Sequence, residues 1–297
     1  MKLTFTADEN SNGRTVKQIL KSNLGLSERL IKKLKFSSNI LLNSIPVHVN
    51  AVVKQNDIIE ANIDFVESCD GIAPENIAID IIYEDDCLIA LNKQPHIVVH
   101  PTSTHQNGTV ANALLYHYRT TGTERKIRPV SRLDRDTTGI IIFAKNEFVQ
   151  EALIRQMSDK TFRKEYVGIV NGILKDTSGT IALPIERKPG SIMLRHTADT
   201  GAPAVTHYTV LEHLNDATFA RFSLETGRTH QIRVHCQAIG HPLAGDTLYS
   251  SISTDIIDRQ ALHSQSVSFI HPYSGKYMSL NAPIPGDMLR MLEILRK

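Results

Sequence analysis

Residues 131–145 read SRLDRDTTGIIIFAK. The last eight, 138–145, are mostly apolar and rich in isoleucine, which is typical of a buried β-strand. The segment before them carries charges of both signs, with Asp134 between Arg132 and Arg135. Neighbouring positive charge favours the ionised form of a carboxylate. The sequence therefore predicts an ionised Asp134 on a loop, where it can serve as a nucleophile or base, or else cap a turn or form a surface ion pair.

Segments with helical and strand periodicity surround this stretch without a regular alternation. The spacing of apolar residues predicts helices at residues 15–23, 27–34, 108–118 and 147–158. Strands are predicted at residues 39–43, 47–49, 57–61, 77–83, 87–92, 138–145, 162–170, 205–211 and 217–224. Helices and strands mixed with long loops indicate an α+β fold rather than regular βαβ winding.

The charge distribution is uneven along the chain. Residues 14–35 contain seven lysines and arginines against one acid, Glu28, whereas residues 55–90 contain ten acids and no lysine or arginine. The net charge of +2 therefore hides a basic N-terminal segment, which is either a solvated helix face or a surface for a polyanion. The basic residues of interest on the second helix are Arg29, Lys32 and Lys33.

Length and composition divide the chain into two parts. The 297 residues suffice for about two domains. Residues 1–64 form a small module of two helices followed by short strands. Residues 65–76 include Gly71 and Pro74 and are predicted to be a linker. Residues 77–297 are predicted to form the second, larger domain.

Several classes of protein are disfavoured by what the sequence lacks. The three cysteines, Cys69, Cys87 and Cys236, are far apart and form no CxxC pair, which argues against a disulfide framework or a cysteine zinc site. The N-terminus has no apolar core of signal-peptide length, and the apolar runs are shorter than the ~18 residues of a membrane span. We therefore expect a soluble, cytoplasmic protein without a membrane partner.

A second polar motif, ETGRTHQIRVHCQAIGHP, occupies residues 225–242. It predicts a helix with Thr229 as its N-cap, ending before Gly240 and Pro242. Ile232, Cys236 and Ile239 would form its buried stripe, whereas His230, Arg233 and Gln237 share another face. A guanidinium at position 233 can bind a carboxylate or a phosphate with two parallel hydrogen bonds.

The histidines raise the possibility of a zinc site. His230 and His235 are five residues apart and would diverge on a helix, whereas zinc pairs such as HExxH are four apart. His96 and His100 have that spacing, but Pro95 and Pro101 flank them and predict an extended segment. We therefore predict no metal ligands.

A third motif, KEYVGIVNG, spans residues 164–172 and has the pattern of a strand. Tyr166 shares a face of this strand with Lys164 and Gly168. A tyrosine in this position can stack on a nucleic-acid base, and a core tyrosine with a satisfied hydroxyl is the alternative.

Taken in order, these segments resemble the Rlu-type pseudouridine synthases, which modify ribosomal and transfer RNA. The resemblance extends from residue 77 to about residue 285. RLDRDTTG is similar to the catalytic loop of the family, which places Asp134 on the essential aspartate and Arg132 on an arginine close before it. GRTHQIRVHCQAIGHPLAGDTLY is similar to a later signature, and Arg233 matches the arginine that pairs with the aspartate. KEYVGIVNG matches the strand of the active-site tyrosine, here Tyr166.

The resemblance also carries expectations for the RNA contacts and the fold. It implies a long mixed, mainly antiparallel sheet flanked by helices, preceded by an αL-type RNA-binding module at residues 1–64. Ser131 stands where the family usually has histidine, which affects substrate preference more than the reaction. The residues expected to bind RNA are Arg132, Arg228, His230, Arg29, Lys32 and Lys33.

The chemistry implied by the resemblance is an isomerisation. A uridine is flipped out of structured RNA, Asp134 attacks the ribose or the uracil ring or abstracts a ribose proton, and carbon five of the rotated uracil rejoins the sugar. No metal, nucleotide or redox cofactor is required. Large-subunit ribosomal RNA is the expected partner, with transfer RNA as the alternative, and a monomer is the default. The other hypotheses are a non-catalytic RNA-binding or ribosome-assembly protein and a metal-dependent hydrolase.

Overall fold

The computed structural model describes residues 1–65, 67, 69, 71–102 and 105–297. The strands are β1 (Lys2–Thr6), β2 (Ile40–Leu42), β3 (Ile45–Pro46), β4 (Ile58–Asn62), β5 (Ile81–Glu84), β6 (Leu88–Lys93), β7 (Arg128–Pro129), β8 (Thr138–Ala144), β9 (Arg163–Asn171), β10 (Ser178–Ile181), β11 (Ile185–Arg187), β12 (Arg195–Thr197), β13 (Thr206–His213), β14 (Ala217–Leu224), β15 (Leu262–Ile270) and β16 (Tyr277–Asn281). The helices are α1 (Val16–Ser22), α2 (Glu28–Phe36), α3 (Val110–Thr120), α4 (Glu147–Ser158), α5 (Gln231–Ala238) and α6 (Gly286–Leu295).

The N-terminal part forms its own four-stranded sheet, in the order β1-β4-β2-β3. The predicted helices α1 and α2 are confirmed, and the Ser27 hydroxyl caps α2 by accepting a hydrogen bond from the backbone N–H of Leu30 at 3.1 Å. The strand predicted at residues 47–49 is wrong, because β3, the strand that pairs with β2, already ends at Pro46.

The larger sheet has the strand order β10-β13-β14-β9-β15-β8-β6-β5, with β7 beside β8 and β16 beside β15. In the described part of the chain, β8 and β15 are its one parallel pair, and the other neighbours are antiparallel. The predicted α+β class with a mixed, mainly antiparallel sheet is therefore confirmed. The predicted bounds of α4 and β14 agree with the structure, whereas the strand predicted at residues 77–83 begins only at Ile81.

Glycine is required where β8 begins beside β15. Gly139 has φ +102°, and a Cβ atom there would lie 2.2 Å from the backbone oxygen of Ser264. No side chain fits this approach. The close contact holds the start of β8, and with it the end of the charged loop at residues 131–137, beside β15.

The two sheets are joined by a continuous apolar core. Leu30 and Leu34 of α2 belong to the same buried cluster as Val149 and Leu153 of α4. The domain limits at 64 and 77 stay a prediction, and positions 66, 68 and 70 of the predicted linker lie outside the described residues. Among the described residues, no helix has the length and apolar character needed to traverse a bilayer.

Candidate active site

Asp134 lies on the loop between β7 and β8, at the edge of an open cleft. Its Oδ2 atom accepts a hydrogen bond from Nη1 of Arg233 on α5 at 3.2 Å. The Asp134 side chain is 27% exposed, whereas that of Arg233 is 6% exposed. The Asp134 carboxylate is therefore accessible from the cleft, and the buried Arg233 guanidinium binds it on the side of the protein interior.

Arg233 is itself fixed by a second carboxylate. Its Nε and Nη2 atoms donate to Oδ2 and Oδ1 of Asp246 at 2.7 and 2.8 Å, and the Asp246 side chain is fully buried. Burial lowers the pKa of Arg233, but the two carboxylates outweigh this and the net direction is upward. The remaining Nη1 group is thereby aimed at Asp134. Asp246 is not among the predicted site residues. It lies in the segment LAGDTLY at residues 243–249, and its acidic side chain in a segment without other charges could have marked it as a candidate.

Tyr166 lies on β9 and forms part of the cleft wall. Its side chain is buried, and burial together with the nearby Asp134 carboxylate raises the pKa of its hydroxyl. The phenol therefore stays protonated at neutral pH. It offers an aromatic surface beside the carboxylate.

The cleft has a volume of about 620 Å³, within the roughly 300–1,000 Å³ of small-molecule sites. Lys164, two residues before Tyr166, also lines it, and burial lowers the pKa of this lysine to about 8. The predicted site residues that line the cleft are Arg132, Asp134, Tyr166, Arg228, His230 and Arg233.

Three predicted RNA-binding residues lie elsewhere, on α2 of the N-terminal part. Arg29 Nε lies 2.9 Å from Oε1 of Glu147 on α4, and the Lys33 ammonium binds the other oxygen of Glu147 and also Glu67 at 3.3 Å. Lys32 is exposed. Two of the three cations therefore form ion pairs with acids of this chain, which the helical pattern alone could not indicate.

The helix that carries Arg233 begins differently from our prediction. Its N-cap residue is His230 rather than Thr229, and His230 has a left-handed backbone with φ 58° and makes no side-chain cap. Ile232 and Cys236 are buried as predicted, whereas Ile239 is only partly buried.

Two of the histidines considered as zinc ligands, His235 and His96, have polar partners within the chain. His235 hydrogen-bonds Thr206 and the Leu183 carbonyl, each at 2.9 Å. His96 approaches Asp136 at 3.2 Å. The described residues contain one group with the spacing of metal ligands, which lies outside the cleft and consists of Asp85, Cys87 and His271.

Lys93 of β6 holds the loop that carries Asp134. Its buried ammonium donates to the carbonyl oxygens of Gln94, Ile97 and Arg135 at 2.8, 3.1 and 2.7 Å. Burial lowers the pKa of Lys93 to about 7, although the negative charge of Asp136 acts to raise it. The three acceptors require three hydrogens, which only the protonated amine supplies.

We expect Lys93→Met to lower the free energy of unfolding by about 1–3 kcal/mol, because it leaves buried carbonyl groups without a donor. Urea unfolding measures this loss. The exposed Lys126 provides the control, and Lys126→Met should change the stability by less than about 0.5 kcal/mol. Equal stability of the two variants would show that the carbonyl contacts of Lys93 do not stabilise the loop.

Comparison with known proteins identifies relatives along the whole chain. Residues 87–238 match the family described as RNA pseudouridylate synthase, and residues 3–59 match the N-terminal domain of RluD ribosomal pseudouridine synthase. The chain is 39% identical over 271 residues to YjbO of Bacillus subtilis strain 168, an uncharacterized RNA pseudouridine synthase, covering 91% of this chain and 95% of that protein. It is 36% identical over 311 residues to ribosomal large subunit pseudouridine synthase D of Escherichia coli strain K12, covering 100% of this chain and 95% of that protein.

Solved structures share the fold. Human RNA pseudouridylate synthase domain containing 4 has a TM-score of 0.60 at 20% identity, with 73% of this chain and 93% of that chain covered. Human RNA pseudouridylate synthase domain containing 1 has a TM-score of 0.58 at 24% identity, with coverage of 69% and 83%. At these low sequence identities, the similarity to the two structures shows a shared fold only. With family matches over most of its length and a carboxylate, a guanidinium and a tyrosine in one cleft, this chain belongs to the RNA pseudouridine synthase family.

Proposed function

We propose that this protein converts specific uridines of large-subunit ribosomal RNA to pseudouridine, with Asp134 as the group that starts the reaction. The observation that carries the proposal is the Asp134 carboxylate, held by Arg233 at 3.2 Å in a cleft of about 620 Å³ with Tyr166 in its wall. This carboxylate is held by Arg233 and lines the space where a flipped base would lie. The similarity to ribosomal large subunit pseudouridine synthase D favours ribosomal RNA as the substrate.

Asp134 and Tyr166 account for the opening steps of the isomerisation. Uridine in a duplex is out of reach, so the base must leave the stack at a cost of a few kcal/mol. Asp134 then attacks the nucleoside or abstracts a ribose proton, and the bond between the ribose and nitrogen one of uracil breaks. Tyr166 offers a surface on which the detached uracil can rotate before carbon five joins the ribose, a step in which the bond to Asp134 breaks or the abstracted ribose proton returns. Carbon five loses its proton, and nitrogen one gains one. The groups named belong to the chain, and the proposal requires no cofactor.

The proposal is tested by release of tritium from RNA labelled at carbon five of uridine. Ribosomal RNA transcripts should release tritium, and pseudouridine mapping in a strain without the gene should lose one or more sites of large-subunit RNA. Loss of sites in transfer RNA instead would change the substrate and leave the reaction in place. A complete map beside altered ribosome assembly would favour the non-catalytic alternative, which the family membership disfavours.

Exposed arginines at the cleft are proposed to bind phosphates. Arg132 and Arg228 both line the cleft and are exposed. We expect Arg228→Gln to weaken RNA binding and to reduce the slope of log affinity against log salt by about 0.7–0.9, because the variant neutralises one phosphate fewer. Arg290, an exposed arginine of α6 outside the cleft, provides the matched control. Equal salt slopes for Arg228→Gln, Arg290→Gln and wild type would contradict the assignment.

A further inference from the structure

The backbone of His230 is unusual for the start of a helix. It has φ 58° and ψ 21°, a left-handed conformation that is uncommon outside glycine, although asparagine, aspartate and histidine adopt it more often than other residues. N-cap positions favour short polar side chains that accept a backbone N–H, and the His230 side chain does not serve this role. The His230 side chain therefore does not stabilise the start of the helix. Its ring instead lines the cleft beside Asp134.

The orientation of the imidazole ring is fixed by Tyr249. Nδ1 of His230 lies 2.8 Å from the Tyr249 hydroxyl oxygen, which also accepts the backbone N–H of Arg195 at 2.9 Å. The Arg195 N–H uses this oxygen as an acceptor, and the hydroxyl hydrogen is free to be donated to Nδ1. The neutral imidazole then carries its hydrogen on Nε2.

Nε2 of His230 faces the reacting carboxylate. It lies 3.9 Å from Oδ2 of Asp134, the same oxygen that Arg233 binds. This separation is too long for a direct hydrogen bond, so the Nε2–H group remains available to a molecule in the cleft. Burial lowers the pKa of His230, and the positive charges of Arg233 and Arg195 act in the same direction. The carboxylates of Asp134 and Asp246 oppose this shift. The net direction is downward, so the ring is neutral at physiological pH.

The proposed reaction creates a charge that such a donor can stabilise. When the bond between the ribose and the base breaks, its electron pair remains on uracil and is shared with the two carbonyl oxygens. A preorganised N–H donor at one of these oxygens lowers the barrier without transferring a proton. The proton of carbon five still leaves the ring, and nitrogen one still gains one, so the hydrogen bond changes no atom balance.

Building on the proposed function, we propose that His230 is a catalytic residue whose Nε2–H donates to a carbonyl oxygen of the flipped uracil while the glycosidic bond is broken. This role differs from binding of the RNA backbone, because it acts on the reacting base. It also explains why a bulky imidazole occupies a left-handed position that glycine would fill without strain.

The test uses two amides that place the donor differently. The nitrogen of glutamine reaches the position of Nε2, whereas that of asparagine reaches only the position of Nδ1, and asparagine tolerates the left-handed backbone. We expect His230→Asn to lower the single-turnover rate of tritium release by about 10²–10³-fold, the usual effect of removing one such donor. His230→Gln should recover most of that loss. Both variants should bind RNA and unfold thermally like the wild type.

A second measurement concerns the tautomer alone. Nitrogen NMR of imidazole-labelled protein should show the hydrogen of His230 on Nε2 and not on Nδ1, and Tyr249→Phe should remove this preference. The opposite tautomer in the wild type would overturn the proposal, as would equal rates for His230→Asn and His230→Gln or a wild-type rate for His230→Asn. A wild-type protein that released no tritium from any RNA would instead overturn the proposed function, and the role of His230 with it.

Discussion

Asp134→Asn should lower the rate of pseudouridine formation by about 10⁴-fold or more, as expected when the group that forms or breaks bonds is removed. Asparagine has the shape of aspartate but has no negative charge with which to attack the nucleoside or take a proton. The side chain is 27% exposed and makes one hydrogen bond to Arg233, so the fold should tolerate the change. The variant should therefore bind RNA as tightly as the wild type while failing to convert it.

The same loop supplies a matched control for this variant. Asp136 is two residues away, and its carboxylate binds Arg135 at 2.9 Å outside the cleft. Asp136→Asn should retain the single-turnover rate within about tenfold, because only groups that interact more strongly in the transition state change the chemical step. Conversion by Asp134→Asn at the rate of Asp136→Asn would refute Asp134 as the reacting group.

Three of the predicted site residues come from short motifs that are visible in the sequence. Asp134, Tyr166 and Arg233 each stand in a segment with a distinct pattern of charge and apolar residues, and the structure places all three in one cleft. α4 was also predictable to the residue, since Asn146 caps it and its apolar residues recur at helical spacing.

The remaining features depend on contacts between residues far apart in the chain. β15 lies between β8 and β9, and this mixed pairing has no local signal. The ion pairs of Arg29 and Lys33 with Glu147 join residues more than a hundred positions apart, so a helix face that looks free in sequence is occupied in the fold.

Asp246→Asn should lower the free energy of unfolding by about 3–5 kcal/mol, the usual effect of removing one partner of a buried ion pair. Asp246 binds Arg233 through both oxygens and also accepts the backbone N–H groups of Leu248 and Tyr249. The NH2 group of asparagine is a hydrogen-bond donor, and the guanidinium it would face has donors but no acceptor. Arg233 would then no longer be oriented by a carboxylate, and urea unfolding would measure the decrease in stability.

The same change should slow the reaction as well as weaken the fold. A displacement of about 1 Å in a positioning group can lower a rate by about 10²-fold, and Arg233 reaches Asp134 through its one remaining nitrogen. Asp64→Asn separates the two effects, because Asp64 binds Arg125 at 2.7 Å outside the cleft. That control should lose stability and keep the rate of tritium release. If Asp246→Asn also kept its rate while losing stability, Asp246 would stabilise only the fold, and the position of Arg233 against Asp134 would have to depend on other contacts, such as the Tyr249 ring 5.0 Å from its guanidinium carbon.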